Sequence, residues 1–201
     1  MIKQELSNIL DRAIWVAHSL FERGKTSGST ANMSFLFDGK MYITKTGSCF
    51  GTITKEDFAV ITMEGDVISG NKPSKEWPLH IAIYKNKEGT KAVIHTHSVY
   101  SVLWSCIPNI NEFDCVPSIT PYLQMKVGKV GLVPYRMPGS KDLFEEFNKR
   151  IAFNYAYILK RHGSVVCGKD IMDAFYNLEE LEDSARIAWE LYSKGMDVSN
   201  V

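Results

Sequence analysis

Hydrophobic and polar positions alternate along the chain with two periods, one typical of helices and one typical of strands. Apolar residues recur every three or four positions over 2–23 and a glycine follows them, which predicts an amphipathic helix. The small, polar residues of 26–34 indicate a loop. The segment 35–44 is divided by Asp38-Gly39, a dipeptide that favours a two-residue hairpin turn. We therefore expect the chain to open with a helix and a β-meander.

The later elements follow the same two patterns. Strands are predicted at 59–63, 67–69, 92–97, 131–134, 157–159 and 165–167. The segment 71–86 is predicted to be a loop followed by a helix, and further helices are predicted at 140–152 and 170–193. Ser74 is the expected N-cap of the first of these helices, and Pro78 is tolerated only in its first turn. No repeat or linker interrupts the chain. We predict one α/β domain over 1–201 with a mostly antiparallel sheet.

Composition narrows the class of protein. The chain has 201 residues, with 23 basic and 23 acidic side chains, and 45% of the residues are hydrophobic. This balanced charge, without a basic stripe, argues against a nucleic-acid partner. The four cysteines form no C-x-x-C pair, which argues against a zinc ribbon or a disulfide scaffold. No apolar run could span a membrane and no secretory signal opens the chain, so we expect a reduced, cytoplasmic protein.

Two histidines stand two positions apart in a predicted strand. His95 and His97 are expected to point to the same face, because side chains alternate along a strand. Such a pair either shares a metal or is simply two partly exposed polar residues. His162, at the end of another apolar run, and Glu76, at a predicted helix start, extend the candidate set. Three imidazoles and one carboxylate suit Zn²⁺ or a similar divalent ion, and a carboxylate that leaves the metal can also move protons.

Three segments rich in small hydroxyl residues and glycine form a second candidate site. Their candidate phosphate-binding residues are Ser29, Asn32, Thr46, Gly47, Ser74 and Lys75. Hydroxyls, backbone N–H groups and an ammonium group bind phosphate, although each segment taken alone is better explained as an ordinary turn. A P-loop is excluded, because the earlier glycine that it requires would fall on Ser19 inside the first helix.

The remaining histidines and the cysteines are interpreted as structural. His18 lies in the first predicted helix and His80 lies one turn after Glu76, and both are expected to be core or surface residues. The cysteines stand in apolar or turn contexts without a neighbouring histidine. They are therefore interpreted as small buried hydrophobic residues rather than nucleophiles.

Taken together, these motifs resemble the class II aldolase/adducin family. The resemblance is carried by TGSCFG (46–51), KPSKE (72–76), TPYLQMKVGKVGLVPYRMPG (120–139), HGSVVCG (162–168) and NLEELEDSAR (177–186). It implies a single-domain α/β fold whose central, mainly antiparallel sheet is flanked by helices on both faces. It also implies a homotetramer with one zinc per subunit and sites between neighbouring subunits.

The resemblance assigns roles to individual residues. Glu76, His95, His97 and His162 match the family's metal ligands, and Glu76 also matches its proton acceptor and donor. The family's phosphate pocket matches Ser29, Asn32, Thr46, Gly47, Ser74 and Lys75. Tyr122, in the TPY segment, is the candidate for a residue that reaches into a neighbouring subunit's site and takes part in catalysis there.

Within the family, the quoted segments are most similar to those of members that decarboxylate 3-oxo-tetronate 4-phosphate. The reaction implied is a zinc-dependent loss of CO₂ that yields dihydroxyacetone phosphate through a metal-stabilised enediolate. Lys75 stands where the aldolases carry serine, and the chain ends at Val201 without their longer tail, which favours decarboxylation. Ala31 stands where the family usually has glycine, so the backbone there must suit an alanine.

Three alternatives remain at this point. The first is a class II aldolase that cleaves a ketose 1-phosphate such as L-fuculose 1-phosphate. The second is a sugar-phosphate 4-epimerase, because related sites can share ligands and change reactions. The third is a non-enzymatic, adducin-like binding module, against which the presence of all four candidate ligands counts.

Overall fold

The computed structural model describes residues 2–152 and 154–198, and its elements follow the predicted order. The helices are α1 (Ile2–Glu22), α2 (Trp77–Asn86), α3 (Val99–Ser105), α4 (Pro121–Lys126), α5 (Lys141–Asn148) and α6 (Ile171–Ser193). The strands are β1 (Asn32–Phe37), β2 (Lys40–Thr44), β3 (Phe58–Ile61), β4 (Val67–Ser69), β5 (Ala92–Thr96), β6 (Val130–Val133), β7 (Ala156–Leu159) and β8 (Gly163–Gly168). Both ends of the predicted domain, 1–201, lie outside the described residues.

The strands in the described part of the chain form one sheet in the order β4-β3-β2-β1-β5-β8-β7-β6. All neighbouring strands are antiparallel except β6 and β7, which are parallel. The predicted, mainly antiparallel sheet is therefore confirmed. Strand β5 lies between β1 and β8, so the residues at its end can be contacted by residues of both neighbouring strands.

Helices cover both faces of this sheet, as predicted. Helices α1, α3, α4 and α6 pack on one face over a core that contains Ile94 and Leu178, whereas α2 and α5 pack on the other with Leu79 and Val93. Val93 and Ile94 belong to opposite cores because successive side chains of a strand alternate. His95 therefore shares the face that α2 covers. No helix in the described residues is long and apolar enough to span a bilayer.

Strand β1 begins at Asn32, three residues earlier than predicted. The segment 32–34 is polar and was expected to be loop, but it pairs with β5, where Asn32 lies opposite His95. Hydrogen bonds to a central strand outweigh the composition of the segment. Helices α3 and α4 were not predicted. The Asp38-Gly39 turn is confirmed, since both residues have the positive φ angles, 50° and 71°, that this turn requires.

The prediction that Ser74 caps α2 is wrong. The helix begins at Trp77, and Glu76 occupies the N-cap position. Ser74 stands earlier because its backbone N–H donates to the carbonyl of Thr44 at 3.0 Å, which ties it to the end of β2. Its hydroxyl accepts the N–H of Glu76 at 3.4 Å instead. The Glu76 carboxylate therefore lies at the start of α2.

A buried carboxylate on α6 fixes the start of α3. Glu182 is 2% exposed and accepts the backbone N–H groups of Tyr100 and Ser101 at 2.8 and 2.9 Å. It also accepts the Ser101 hydroxyl at 2.7 Å. Amides of a first helical turn have no partner within their own helix. Because α3 begins shortly after His97, the same contact restrains the chain where it leaves β5.

We expect Glu182→Ala to lower the free energy of unfolding by about 3 kcal/mol, because it leaves buried donors unpaired. Glu179→Ala, on the same helix, removes an ion pair with Arg23 at 2.6 Å and serves as the control. An ion pair of this exposed kind is worth about 1 kcal/mol or less. Urea unfolding followed by circular dichroism measures both variants, and equal losses would contradict the anchoring role of Glu182.

Candidate active site

Three histidines converge at one end of the central strands β5 and β8. One ring nitrogen from each of His95, His97 and His162 lies within 4.8 Å of the others. His95 is in β5 and His97 follows the strand end, while His162 lies in the turn between β7 and β8. Strands β5 and β8 are antiparallel, with Thr96 opposite Ser164, so this turn is delivered beside the two histidines of β5.

The Glu76 carboxylate faces this cluster from the start of α2. Its Oε2 lies 3.2 Å from Nε2 of His95, and its Oε1 lies 3.4 Å from Nε2 of His162. Asn32 Nδ2 donates to Oε2 at 3.2 Å. Burial alone raises the pKa of Glu76, but the neighbouring imidazoles and the Asn32 amide outweigh it and hold the pKa below its usual value. The carboxylate is therefore ionised at neutral pH.

The rings of His97 and His162 are in the unprotonated form that binds metals. Burial, with repulsion from His95 added to it, lowers the pKa of His97 to about 4 and that of His162 to about 3, so both rings are neutral. His95 Nδ1 donates to the carbonyl of Ser164 at 2.8 Å, which leaves the lone pair of Nε2 directed at the cluster. Metal ions require such unprotonated nitrogens.

Buried atoms without partners mark the same point. Within residues 2–152 and 154–198, Glu76 Oε1 and both ring nitrogens of His162 are buried without a hydrogen bond, although Oε1 and Nε2 lie close. His97 Nε2 also faces His95 Nε2 at 3.2 Å. A buried polar atom left unpaired costs about 1–3 kcal/mol, and a cation among these acceptors would remove that cost. The neutral rings of His97 and His162, Nε2 of His95 and an ionised carboxylate therefore fit a divalent metal.

A cleft of about 160 Å³ opens beside the cluster. The residues that line it and were predicted for the site are Ser29, Asn32, Thr46, Gly47, Ser74, Lys75, Glu76, His97 and His162. His95 is wholly buried behind them. The volume is below the roughly 300–1,000 Å³ of pockets for drug-sized ligands. The structure thus joins the two candidate sites into one cleft whose volume suits a small molecule.

Backbone pairing explains how separate segments meet in this cleft. Ser74 and Thr46 donate their backbone N–H groups to the carbonyls of Thr44 and Lys72, each at 3.0 Å, which holds the two segments side by side. Gly47 has a φ of 77°, a conformation that suits glycine.

The alanine that departs from the family's pattern lies in an ordinary backbone conformation. The non-glycine residues with positive φ among those described are Asp38, Asn109 and Arg161, and Ala31 is not one of them. Ala31 is buried in the wall of the cleft. The glycine of the family is therefore not required here, and the neighbouring Asn32 reaches the site.

The cleft also contains residues to which the sequence assigned no role. Thr30, Pro138 and Gly139 line it. Pro138 and Gly139 belong to the MPG sequence that ends segment 120–139, one of the segments that resemble the family. The sequence therefore contained these residues within a recognised motif, but their residue types indicated no chemical role. Tyr122 is 58% exposed on α4 and is not among the described residues that line this cleft. Its contribution to a neighbouring subunit remains a prediction.

Comparison with known proteins agrees with this geometry. Residues 12–189 match the class II aldolase and adducin N-terminal domain, and the chain belongs to this family. A 3-oxo-tetronate 4-phosphate decarboxylase of Escherichia coli is 39% identical over 191 residues, which cover 94% of this chain and 89% of the relative. An L-fuculose phosphate aldolase of Methanococcus maripaludis is 35% identical, with 92% of this chain and 98% of the relative covered.

A solved structure extends the comparison to the fold. The crystal structure of YgbL from Escherichia coli superposes with a TM-score of 0.89 at 36% identity, and the match covers 95% of this chain and 91% of the other. The fold is therefore that of the class II aldolases. Because the relatives are named as decarboxylases and aldolases, the chain is a carbon–carbon lyase rather than a non-enzymatic binding module.

Gly163→Ala is expected to disrupt the site. A Cβ at this position, next to His162, would lie 2.2 Å from the backbone oxygen of Thr96, so β8 and β5 would have to separate. Overpacking of this kind costs about 1–3 kcal/mol. We expect a lower melting temperature and zinc affinity weakened about 10-fold or more, as when an outer contact of a ligand is lost.

Gly195→Ala is the control for this prediction. A Cβ there meets nothing within 4 Å, and only the positive φ of 77° opposes alanine. The cost is about 1–2 kcal/mol, without an effect on zinc affinity. Thermal melting and competition with a zinc chelator distinguish the two variants. Unchanged zinc affinity in Gly163→Ala would contradict the prediction.

Proposed function

We propose that the chain catalyses the zinc-dependent decarboxylation of 3-oxo-tetronate 4-phosphate to dihydroxyacetone phosphate and CO₂. The observation that carries the proposal is the convergence of three histidines and an ionised carboxylate beside a cleft lined by hydroxyl groups, an amide and a lysine. The relative named for this decarboxylation, at 39% identity, supports the choice of reaction.

His95, His97, His162 and Glu76 are the residues proposed to hold the metal. Three imidazoles and a carboxylate are donors that zinc accepts. A divalent metal bound there supplies a Lewis acid that polarises a carbonyl and stabilises negative charge as it develops on oxygen.

Glu76 is proposed to carry the proton that the reaction consumes. Breaking the bond between C1 and C2 of a 3-oxo acid releases CO₂ and leaves an electron pair that spreads towards the C3 oxygen. C2 then needs one proton to give dihydroxyacetone phosphate. Since the Glu76 carboxyl is ionised at neutral pH, it must first be protonated from the solvent before it delivers this proton to C2. If the donor is a water molecule, the hydroxide left behind takes up the released CO₂ as bicarbonate.

The polar wall of the cleft is proposed to bind the two anionic ends of the substrate. Hydroxyls and backbone N–H groups suit the phosphate, and the residues assigned to it are Ser29, Asn32, Thr46, Gly47 and Ser74. Lys75 adds an ammonium group at the same wall. A point charge there can hold the carboxylate that is lost as CO₂, or it can add to the phosphate contacts.

The proposed function also involves the assembly of several subunits. We propose, from the family resemblance, a homotetramer in which Tyr122 of one subunit reaches the cleft of a neighbour. Its 58% exposure and its absence from the described lining of its own cleft support that assignment.

The second candidate is a class II aldolase that cleaves a ketose 1-phosphate. The relative named L-fuculose phosphate aldolase, at 35% identity, favours it. Both reactions break a carbon–carbon bond next to a carbonyl and leave the same kind of electron pair, so the histidine cluster and Glu76 serve either. The residues that meet the substrate's other groups, Lys75 in particular, distinguish the two.

The purified protein is expected to contain about one zinc per chain. His95→Ala should lose it, because the imidazole is wholly buried behind the cleft and faces the cluster. His18→Ala, which removes a hydrogen bond to the Ile53 carbonyl away from the cluster, should keep it. Elemental analysis measures the metal.

The reaction is tested on 3-oxo-tetronate 4-phosphate with the same preparations. CO₂ and dihydroxyacetone phosphate are expected from the wild type. An aldehyde released from a ketose 1-phosphate would favour the aldolase instead, and an isomer of unchanged mass would favour the epimerase. Absence of both metal and reaction would contradict the proposed function.

Lys75→Ala separates the two roles of the ammonium group. If Lys75 holds the substrate carboxylate, the variant should bind substrate about 10–100-fold more weakly, as expected for loss of a charged hydrogen bond. Its affinity for dihydroxyacetone phosphate, which lacks the carboxylate, should not change. Lys72→Ala is the control, since Lys72 is not among the residues lining the cleft. Equal losses for both ligands would assign Lys75 to the phosphate.

A further inference from the structure

A row of polar side chains extends from Glu76 into the protein interior, away from the cleft. Asn32 Nδ2 lies 3.2 Å from Glu76 Oε2, and Asn32 Oδ1 lies 2.6 Å from Nε2 of His80. His80 Nδ1 lies 2.7 Å from the Ser34 hydroxyl, which in turn lies 2.7 Å from the Tyr84 hydroxyl. His80 and Ser34 are fully buried. The chemistry proposed above uses none of the last three residues.

The direction of every hydrogen bond in this row follows from its first member. An ionised carboxylate only accepts, so the Asn32 amide must turn its Nδ2 to Glu76 and its oxygen to His80. The amide oxygen also only accepts, so the proton of His80 is on Nε2. Burial, with repulsion from His95, lowers the pKa of His80 to about 3, and the ring is neutral. Nδ1 therefore accepts from the hydroxyl of Ser34.

The hydrogen-bond directions at Ser34 and Tyr84, the far end of the row, follow from the same reasoning. Because the Ser34 proton is engaged with His80, its oxygen accepts from the hydroxyl of Tyr84. Burial raises the pKa of Tyr84, so this hydroxyl keeps its proton. All four donors point one way, with Glu76 as the final acceptor. A row in which each group has one permitted role leaves the Asn32 amide no alternative orientation.

We propose that His80 is a positioning residue whose Nε2–H holds the Asn32 amide so that its Nδ2 is directed at Glu76. Ser34, which accepts from Tyr84 and donates to Nδ1 of His80, supports the tautomer of His80 that can do this. This inference rests on the proposed function, since Glu76 is taken to be the proton carrier and a metal ligand. The complete burial of His80 agrees with its interpretation as a core residue, and the proposal adds a positioning role.

The position of the row explains why Glu76 needs such support. The carboxylate sits at the first turn of α2, and His80 is one turn further along the same helix. Asn32 bridges the two across the end of β1. Without that bridge the Glu76 side chain would keep only the imidazoles as partners. Outer contacts of this kind commonly change metal affinity or activity by about 10–100-fold.

The first measurement concerns the tautomer and needs neither metal nor substrate. Nitrogen-15 spectra of histidine-labelled apoprotein at neutral pH should show His80 protonated on Nε2 and not on Nδ1. Assignment uses the spectrum of His80→Gln. A proton on Nδ1 would overturn the proposal whether or not the proposed reaction is correct.

The second measurement compares His80→Met with His80→Gln, two side chains of equal length. Met has no donor for Asn32, and we expect kcat and zinc affinity each to fall about 10–100-fold with KM within about 3-fold. Gln keeps an N–H for Asn32 and should recover most of both. His18→Met is the control, since His18 also bonds a partner in the interior, the Ile53 carbonyl, yet lies outside the row.

The outcomes separate positioning from a structural role. A structural His80 predicts a lower melting temperature with unchanged kcat per folded molecule and no difference between Gln and Met, which would overturn the proposal. If His80→Met does not fold, Ser34→Ala replaces it, with mixed His80 tautomers and lower kcat expected. If the wild type releases an aldehyde instead of CO₂, the same variants are compared on that cleavage, so that a wrong substrate assignment leaves this test intact.

Discussion

A buried carboxylate can remain ionised only if the protein surrounds it with compensating groups, and Glu76 imposes this constraint on the whole site. Removing a charge from water costs several kcal/mol unless partners are in place. The compensating groups are His95, His162 and Asn32, all within 3.2 to 3.4 Å of its two oxygens. They come from a strand, a turn and a second strand, so Glu76 has these partners only when those elements are packed together.

The order of strands in the sheet meets this constraint. Strand β5 carries His95 and is flanked by β1, which carries Asn32, and by β8, whose preceding turn carries His162. Antiparallel pairing on both sides brings these residues to one end of β5. Helix α2 then covers the same face and delivers Glu76 from its first turn. A change in strand order would separate the ligands even if every element formed.

The proposed roles of the cleft residues fall into two groups, bond cleavage and substrate recognition, and this separation explains how one architecture serves several lyases. In the proposed function, the histidines and Glu76 act where the carbon–carbon bond breaks, which is common to decarboxylation and aldol cleavage. The wall that contains Lys75 and Gly139 is proposed to meet the rest of the substrate. Because these groups occupy different segments of the chain, the wall can vary without disturbing the buried cluster or the hydrogen-bonded row behind it.

The sequence by itself determined the features that depend on neighbours along the chain. The helical period of 2–23, the Asp38-Gly39 turn and the histidine pair at 95 and 97 were all readable from spacing. The start of β1, the cap of α2 and the role of His80 were not. His80 bonds to Ser34 and Asn32, which are 46 and 48 residues away, and β1 gains its first residues by pairing with β5. Spacing reports which side chains share a face, but only the packed sheet decides which distant side chains meet there.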